Sequence, residues 1–318
     1  MPTLLQRVAG SAGPSSFPAA AYDGAPPRRI RVPFLLDVVL VDDLGWITAL
    51  DADPALTRVV QHDGPIFNRL LSRRVARAFA IGRAPLPTFT DRMDATRARR
   101  QQELEAQLGR RDDGFDEQAA ERAALASHVR GRGDAITVGV VVQTMFGRRF
   151  DAEYRATPAT YAAARLVIGF PRALPPRSWW WRLSGKLAHA QRLLADTAGH
   201  DPAAIHATTN TVHNVVETLN RMRTLAAKRG AVDAVTAVRH CLAAPPALLR
   251  WCTRTMRVTG LPQPLEAGTL VVMRLDRAHD ALQDAQSPFL VGRWNQCPAH
   301  QYVTALLERV WTEAERLP

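Results

Sequence analysis

The sequence predicts a mainly α fold with small β-sheets. Three observations carry that prediction. Helical spacing of apolar residues recurs over most of the chain. Runs rich in Val and Ile are confined to two short stretches, residues 34–47 and 254–275. With 318 residues of which 47% are hydrophobic, the chain can also bury a substantial core.

The first thirty residues, rich in Gly, Pro, Ser and Ala, lack an apolar stretch behind a basic one and are expected to form a mobile tail ahead of one domain over 31–318. FLLDVVLVDDLGWI, residues 34–47, reads as β-rich between Asp and Gly breakers. Pro54 after Asp53 suggests a helix over 54–62. The content of 91–108, with Met93, Leu104 and Leu108 on one face, predicts an amphipathic helix stopped by Gly109 and followed by a charged loop over 110–115. Helices follow over 117–129 and 136–146, the latter ended by Gly147. Three prolines in 171–181 predict a connection, in which Trp179, Trp180 and Trp181 are expected to pack under a loop rather than line a ligand channel. A helix from Leu183 to Thr197 comes next. The longest helix is expected from Pro202 to Arg229, capped by Asp201 and stopped by Gly230. A short helix holding Leu248, Leu249 and Arg250, two strands within 254–275, a loop over 286–297 and a final helix from Pro298 to Arg316 complete the reading.

A formal charge of +11 and a pI near 10.7 raise nucleic acid as a partner. The composition argues against it. Only Lys186 and Lys228 among the 41 basic residues are lysine, so the excess reflects an arginine bias more than a phosphate-binding face. The densest basic stretch has nine arginines between Arg69 and Arg100, read as a solvated helix face. Cys241, Cys252 and Cys297 match no CxxC framework, which suits a reducing compartment and a cytoplasmic protein. The most apolar run, Ala135–Val142, falls short of the roughly 20 residues that span a bilayer, so neither nucleic acid nor membrane is an expected partner. His206 with His213, and His279 with Asp280 and Asp284, fit solvated or packed roles better than metal sites. GxGxxG, GxxxxGK[ST] and GxSxG are absent.

The chemistry lies in SPFLVGRWNQCPAHQYVTALLERV, residues 287–310. Cys297 stands just ahead of Pro298 at a helix start, where the dipole and unpaired N–H groups favour a thiolate. Three further segments precede it in order: Ala207-Thr208-Thr209-Asn210-Thr211 in the long helix, Leu248-Leu249-Arg250 with Arg257 beyond it, and EAGTLV at 266–271. In this order they resemble the cytochrome P450 family: a distal A-G-x-[DE]-T segment, an E-x-x-R helix, a P-A-G-T strand start, and a cysteine loop carried by Phe289, Gly292, Cys297 and Ala299. The resemblance covers residues 34 to 316 and carries specific motifs only in its last hundred or so.

That resemblance implies a cytochrome P450-like fold lacking part of the C-terminal β-structure, with heme b held through the iron by Cys297. A thiolate axial ligand donates electron density that favours O–O cleavage. Phe289 and Gly292 would shape the loop, Arg257 and Arg293 would partner the heme propionates, and Thr211 and Asn210 would be the distal catalytic pair. The chain departs from the family at Ala247, where E-x-x-R has its glutamate; at Asn210, where the distal acid stands; at Asn295, two before the cysteine; and at Phe289, one residue too far from it. The implied activity is a monooxygenase or peroxygenase acting on a small apolar substrate, supplied by an acidic ferredoxin-type redox partner or by peroxide. The alternative is a catalytically impaired relative that serves as a heme-binding helper or scaffold.

Overall fold

Alternation along Leu36–Val41 buries Asp37, Val39 and Val41 on one side, and this strand organises a sheet onto which the helices stack. The structure is a computed structural model and describes residues 24–82, 84–90, 94–108, 116–228, 232–282, 286–293 and 296–318. In chain order the elements begin β1 (Arg28–Val32), β2 (Leu36–Val41), α1 (Leu44–Ala52), β3 (Leu56–Thr57), α2 (Ile66–Ala78) and α3 (Arg97–Leu108). Then come α4 (Ala119–Val129), α5 (Ala135–Gly147), α6 (Pro158–Gly169), α7 (Pro175–Leu183), α8 (Lys186–Thr197) and α9 (Pro202–His206). A π-helical turn (Ala207–Thr211) joins α9 to α10 (Val212–Ala227), followed by α11 (Ala234–Cys241), β4 (Leu248–Cys252), β5 (Leu270–Met273), α12 (Leu275–Leu282) and α13 (His300–Arg316). The strands make one mixed sheet in the order β1-β2-β5-β4-β3, in which only β2 and β5 run parallel.

Among the described residues four clusters form the core, the smallest of them Val75, Trp251 and Leu270 between α2 and the sheet. Leu125, Val142, Phe146, Leu219, Tyr302 and Leu306 join α4, α5, α10 and α13; Ile47, Leu50, Val271 and Met273 seal the sheet against α1; Val167, Phe170, Leu194 and Ile205 hold α6, α8 and α9 together. The mainly α class and the helices expected over 117–129, 136–146 and from Pro202 are found, and Asp201 caps α9 by accepting from the Ala203 N–H at 2.8 Å.

Several expectations need correction. The strand read over 34–47 ends at Val41, because the Asp43 carboxylate accepts the Trp46 N–H at 2.9 Å and starts α1. No helix covers 54–62: Asp53 accepts the Ala55 N–H at 2.6 Å in a turn, and Leu56–Thr57 pairs with Trp251 and Cys252. Pro175 and Pro176 open α7 rather than forbid it, since the first helical turn needs no N–H donors. Residues 248–252 form β4, not a helix; Pro245 and Pro246 disfavour helix ahead of them, and the exposed edge of β5 supplies the ladder. Within 254–275 only β5 is a strand, with one isolated bridge from Met256 to Leu265. Part of the tail expected over 1–30 is ordered structure, as β1 begins at Arg28; residues 1–23, Gly109, the loop at 110–115, Gly230, Asp284 and Asn295 lie outside the described residues.

The EAGT segment does form a turn into β5. Gly268 has φ +83° and lies against Gly64, so a Cβ on Gly268 would come 2.4 Å from the Gly64 Cα. Thr269 Oγ1 donates to Asp37 Oδ2 at 2.8 Å, and Asn68 Nδ2 donates to Gly268 O at 2.9 Å, fastening the turn to β2 and α2.

Candidate functional site

Cys297 is positioned by a loop that reverses twice. A 3-10 turn at Ser287–Phe289 leads to Leu290 with φ +53° and Gly292 with φ +75°, two left-handed residues that fold the chain back. The Cys297 N–H then donates to Phe289 O at 2.8 Å, and the Gly292 N–H donates to Gln296 Oε1 at 2.8 Å. The side chains of Phe289, Gln296 and Cys297 consequently line one cavity of about 510 Å³, within the usual range for a small-molecule site. Burial pushes the Cys297 thiol up to about 11, against a smaller opposing effect of the Ala299 N–H. Burial thus opposes the effect expected of the helix start, and a cation bound at Sγ would favour the thiolate.

The same cavity is lined by part of the π turn, which coincides with the Ala207–Thr211 segment singled out in the sequence. Widening the helix by one residue per turn frees backbone carbonyls that need donors. Buried Gln143 on α5 supplies one, its Nε2 donating to Thr208 O at 3.0 Å, while Thr208 Oγ1 donates to Ala204 O at 2.7 Å. Thr208 and Thr209 are therefore packed inward, and Asn210 and Thr211 line the cavity with His206, His213 and Asn214. Asn210 Nδ2 donates to His206 Nδ1 at 2.9 Å, which requires that ring nitrogen to be unprotonated.

Burial, and then the nearby Arg58, push His206 down to about 4; burial also holds His213 below the ordinary histidine range, helped by Arg172 and opposed by Glu217. A histidine in the unfolded chain takes its proton near pH 6.5, so between about 6.5 and 4 the unfolded state binds more protons than the folded one. Stability is then full above 6.5 and falls as the pH drops toward 4, by on the order of 2–3 kcal/mol for His206. Urea midpoints measured across that window will show the decline, and His206→Gln will flatten it. An unchanged slope in the variant would contradict the assignment.

Apolar side chains make up much of the cavity wall, with Leu71 and Val75 from α2, Phe79 just beyond it, Phe89, and Leu104 from α3. Among the described residues four arginines, Arg58, Arg97, Arg172 and Arg250, and no carboxylate line it. Arg97 belongs to α3, which is tied to the cysteine loop by Gln101 Nε2 donating to Gln296 O at 3.0 Å. A flat apolar macrocycle carrying carboxylates fits such a lining, with sulfur on one side and cations for its acids. The residues present therefore fit a heme.

Not every expected residue comes to this place. Arg257 lines a separate surface hollow with Thr259, Pro262 and Pro264, whereas Arg97 lines the same cavity as Cys297. Arg293 and Gly292 are exposed, and Gly292 shapes the loop rather than touching the cavity. Arg250 lines the cavity but stands on a strand that begins at Leu248, so Ala247 and Arg250 do not share the helical turn that an E-x-x-R pair needs. Its partner is Asp51 of α1: Arg250 Nε donates to Asp51 Oδ1 at 2.6 Å, with both side chains buried. Two histidines and Gln143 were not read as functional; only the seven-residue spacing of His206 and His213 hinted that they share a face. Among the described residues no cluster of His, Cys, Asp and Glu suits a metal ion.

No family model matches the chain, and no curated protein matches it. Solved structures do. P450BioI in complex with an acyl carrier protein ligated to hexadec-9Z-enoic acid is 11% identical, with 91% of this chain and 86% of that one covered at a TM-score of 0.57. A myxobacterial cytochrome P450 in complex with myristic acid is 16% identical, with 91% and 84% covered and a TM-score of 0.53. Cytochrome P450EX alpha with myristic acid is 12% identical, with 90% and 83% covered and a TM-score of 0.56. Identities this low make the likeness one of backbone, and on that backbone the chain has the cytochrome P450 fold.

Proposed function

We propose that this protein is a heme-thiolate oxidoreductase, of monooxygenase or peroxygenase type, that oxidises an apolar small molecule. The observation that carries this reading is that Cys297 and the π turn line one apolar cavity of about 510 Å³. When bound, heme b would supply an iron for oxygen or peroxide chemistry, and a thiolate ligand would favour O–O cleavage. Cys297 would hold the iron, Arg97 would partner a propionate, and Phe289 would pack against the ring. On the opposite wall Thr211 offers a hydroxyl that can hold or pass a proton. Asn210 cannot ionise, and its amide is engaged with His206, so a proton reaching Thr211 would come through solvent or a neighbouring histidine rather than a carboxylic acid at position 210.

Fatty acids are the first substrates to try, because two neighbours hold myristic acid and a third an acyl chain. The test is product formation from myristic acid with peroxide, and separately with a reduced ferredoxin. Thr211→Ala is expected to lower product per oxidant consumed by roughly 10²-fold, the lower range for a positioned proton donor, while heme content stays near normal. Loss of heme in that variant would mean that Thr211 serves packing alone. The second reading, a heme-binding helper without turnover, is favoured by Asn210 and predicts heme loading with no product under either oxidant.

No helix among the described residues is long and apolar enough to cross a membrane.

A further inference from the structure

We propose that Gln143, which does not itself line the cavity, is a positioning residue: by holding the long helix in its π turn it keeps His206, Asn210 and Thr211 on one wall. Its effect on chemistry rests on the oxidation proposed above; its hold on the helix does not. His206, Asn210, Asn214 and Thr218 all line the cavity and follow one another at four-residue steps. In an α-helix each such step drifts by about 40° around the axis, so three of them would carry Thr218 about 120° away from His206. A π turn adds one residue, worth about 100° of an α-helix, and takes back most of that drift. The turn at Ala207–Thr211 stands inside the stripe. It therefore lets His206 and Asn210 face the same wall as Asn214 and Thr218, with Thr211 at the joint.

The turn is costly where it stands. Thr209 Oγ1 is buried with no hydrogen-bond partner among the described residues, and the widened backbone lies in the core. Something outside the helix must favour it. Gln143 is the one polar side chain that α5 buries, its other buried residues being apolar or glycine. Its Nε2 donates to Thr208 O at 3.0 Å and to Thr160 O of α6 at 3.4 Å. The far end of the amide is fixed as well, because Thr160 Oγ1 donates to Gln143 Oε1 at 2.8 Å and Thr160 belongs to the capping box of α6. In a regular α-helix the N–H four residues on would already serve the Thr208 carbonyl, so the bond from Gln143 favours the widened form.

Without this latch the two halves of the helix turn against each other by up to about 100°. Whichever half gives way, Thr211 and His206 cease to share the wall. A proton passing to the Thr211 hydroxyl from a neighbouring histidine or from solvent ordered beside it then loses its arrangement, although Gln143 touches neither substrate nor heme.

Gln143→Met keeps the length of the side chain and removes its donor. In the full chain, with or without heme, amide exchange followed by mass spectrometry should speed up by at least about tenfold in peptides covering 207–212 and stay unchanged in the rest of α10. In the heme-loaded protein, product formed from myristic acid per oxidant consumed should fall by at least about tenfold at unchanged heme content. On a Thr211→Ala background the same substitution should cost less than about twofold, because the hydroxyl it positions is already gone. A mere packing defect would multiply the two losses. Should Gln143→Met not fold, Thr160→Val decides, since it leaves Gln143 in place and unties Oε1: faster exchange limited to 207–212 supports the latch, and unchanged exchange overturns it. Wild type that makes no product while exchange speeds up as stated removes the oxidation and keeps the latch. The proposal is overturned by exchange in Gln143→Met equal to wild type, by exchange raised evenly along α10, or by losses that multiply with Thr211→Ala.

Discussion

Asp51→Ala is expected to lower the unfolding free energy by about 3–5 kcal/mol, a large fraction of the roughly 5–15 kcal/mol that a domain has in total. Arg250 and Asp51 have side chains only 4% and 6% exposed, and they lie 199 residues apart in sequence, so their contact ties α1 to β4. Burial pulls the Arg250 guanidinium below its ordinary range while the Asp51 carboxylate opposes that pull. Without Asp51 the guanidinium keeps Leu249 O as an acceptor at 2.9 Å but loses its counter-charge. The cost is thus mainly that of an uncompensated buried charge, and not of one lost bond. Replacing both partners by apolar residues, as in Asp51→Leu with Arg250→Met, should cost far less than the two single changes together. Urea unfolding of the four proteins measures this. A single-variant loss below about 1 kcal/mol, the value of an exposed pair, would show that the guanidinium is not held where the structure has it.

How far the sequence could be read depended on the range of the forces involved. Local signals were read well: Asp201 as a cap, the helices over 117–129 and 136–146, the Gly268 turn, and the Cys297 loop all depend on neighbours within a few residues. Contacts across the chain were not legible. Leu248, Leu249 and Arg250 have ordinary helix propensity, and only the edge of β5 makes them a strand. Arg250 seemed to lack a partner because Ala247 stands where the resemblance to cytochrome P450 calls for a glutamate, whereas the acid comes from α1. The π turn leaves no mark in ATTNT, since the widening is held by Gln143 on a different helix. Arg257 lay at the right distance from Arg250 for a helix but not for a strand leading to the Met256 bridge. All three tryptophans were expected inside, but Trp179 and Trp180 are exposed on α7, which starts at Pro175, while Trp181 is half-buried against the cluster that joins α6 and α8.

The central claim is that Cys297 holds a heme iron as its thiolate. Cys241 and Cys252 are also pushed up to about 11 by burial, but neither lines the cavity, and Cys252 Sγ donates to Arg254 O at 2.9 Å. Of the three cysteines only Cys297 lines the cavity that Asn210 and Thr211 of the π turn also line. Replacing it by Ser removes the one atom able to give strong electron donation, so the effect should be all-or-none rather than graded. The measurement is the visible spectrum of protein expressed with added heme, reduced, with and without carbon monoxide. The account predicts one heme per chain and the red-shifted carbon monoxide band of a thiolate-ligated iron, lost in Cys297→Ser and kept in Cys241→Ser and Cys252→Ser. A colourless wild type, or a Cys297→Ser spectrum identical to wild type, would contradict it.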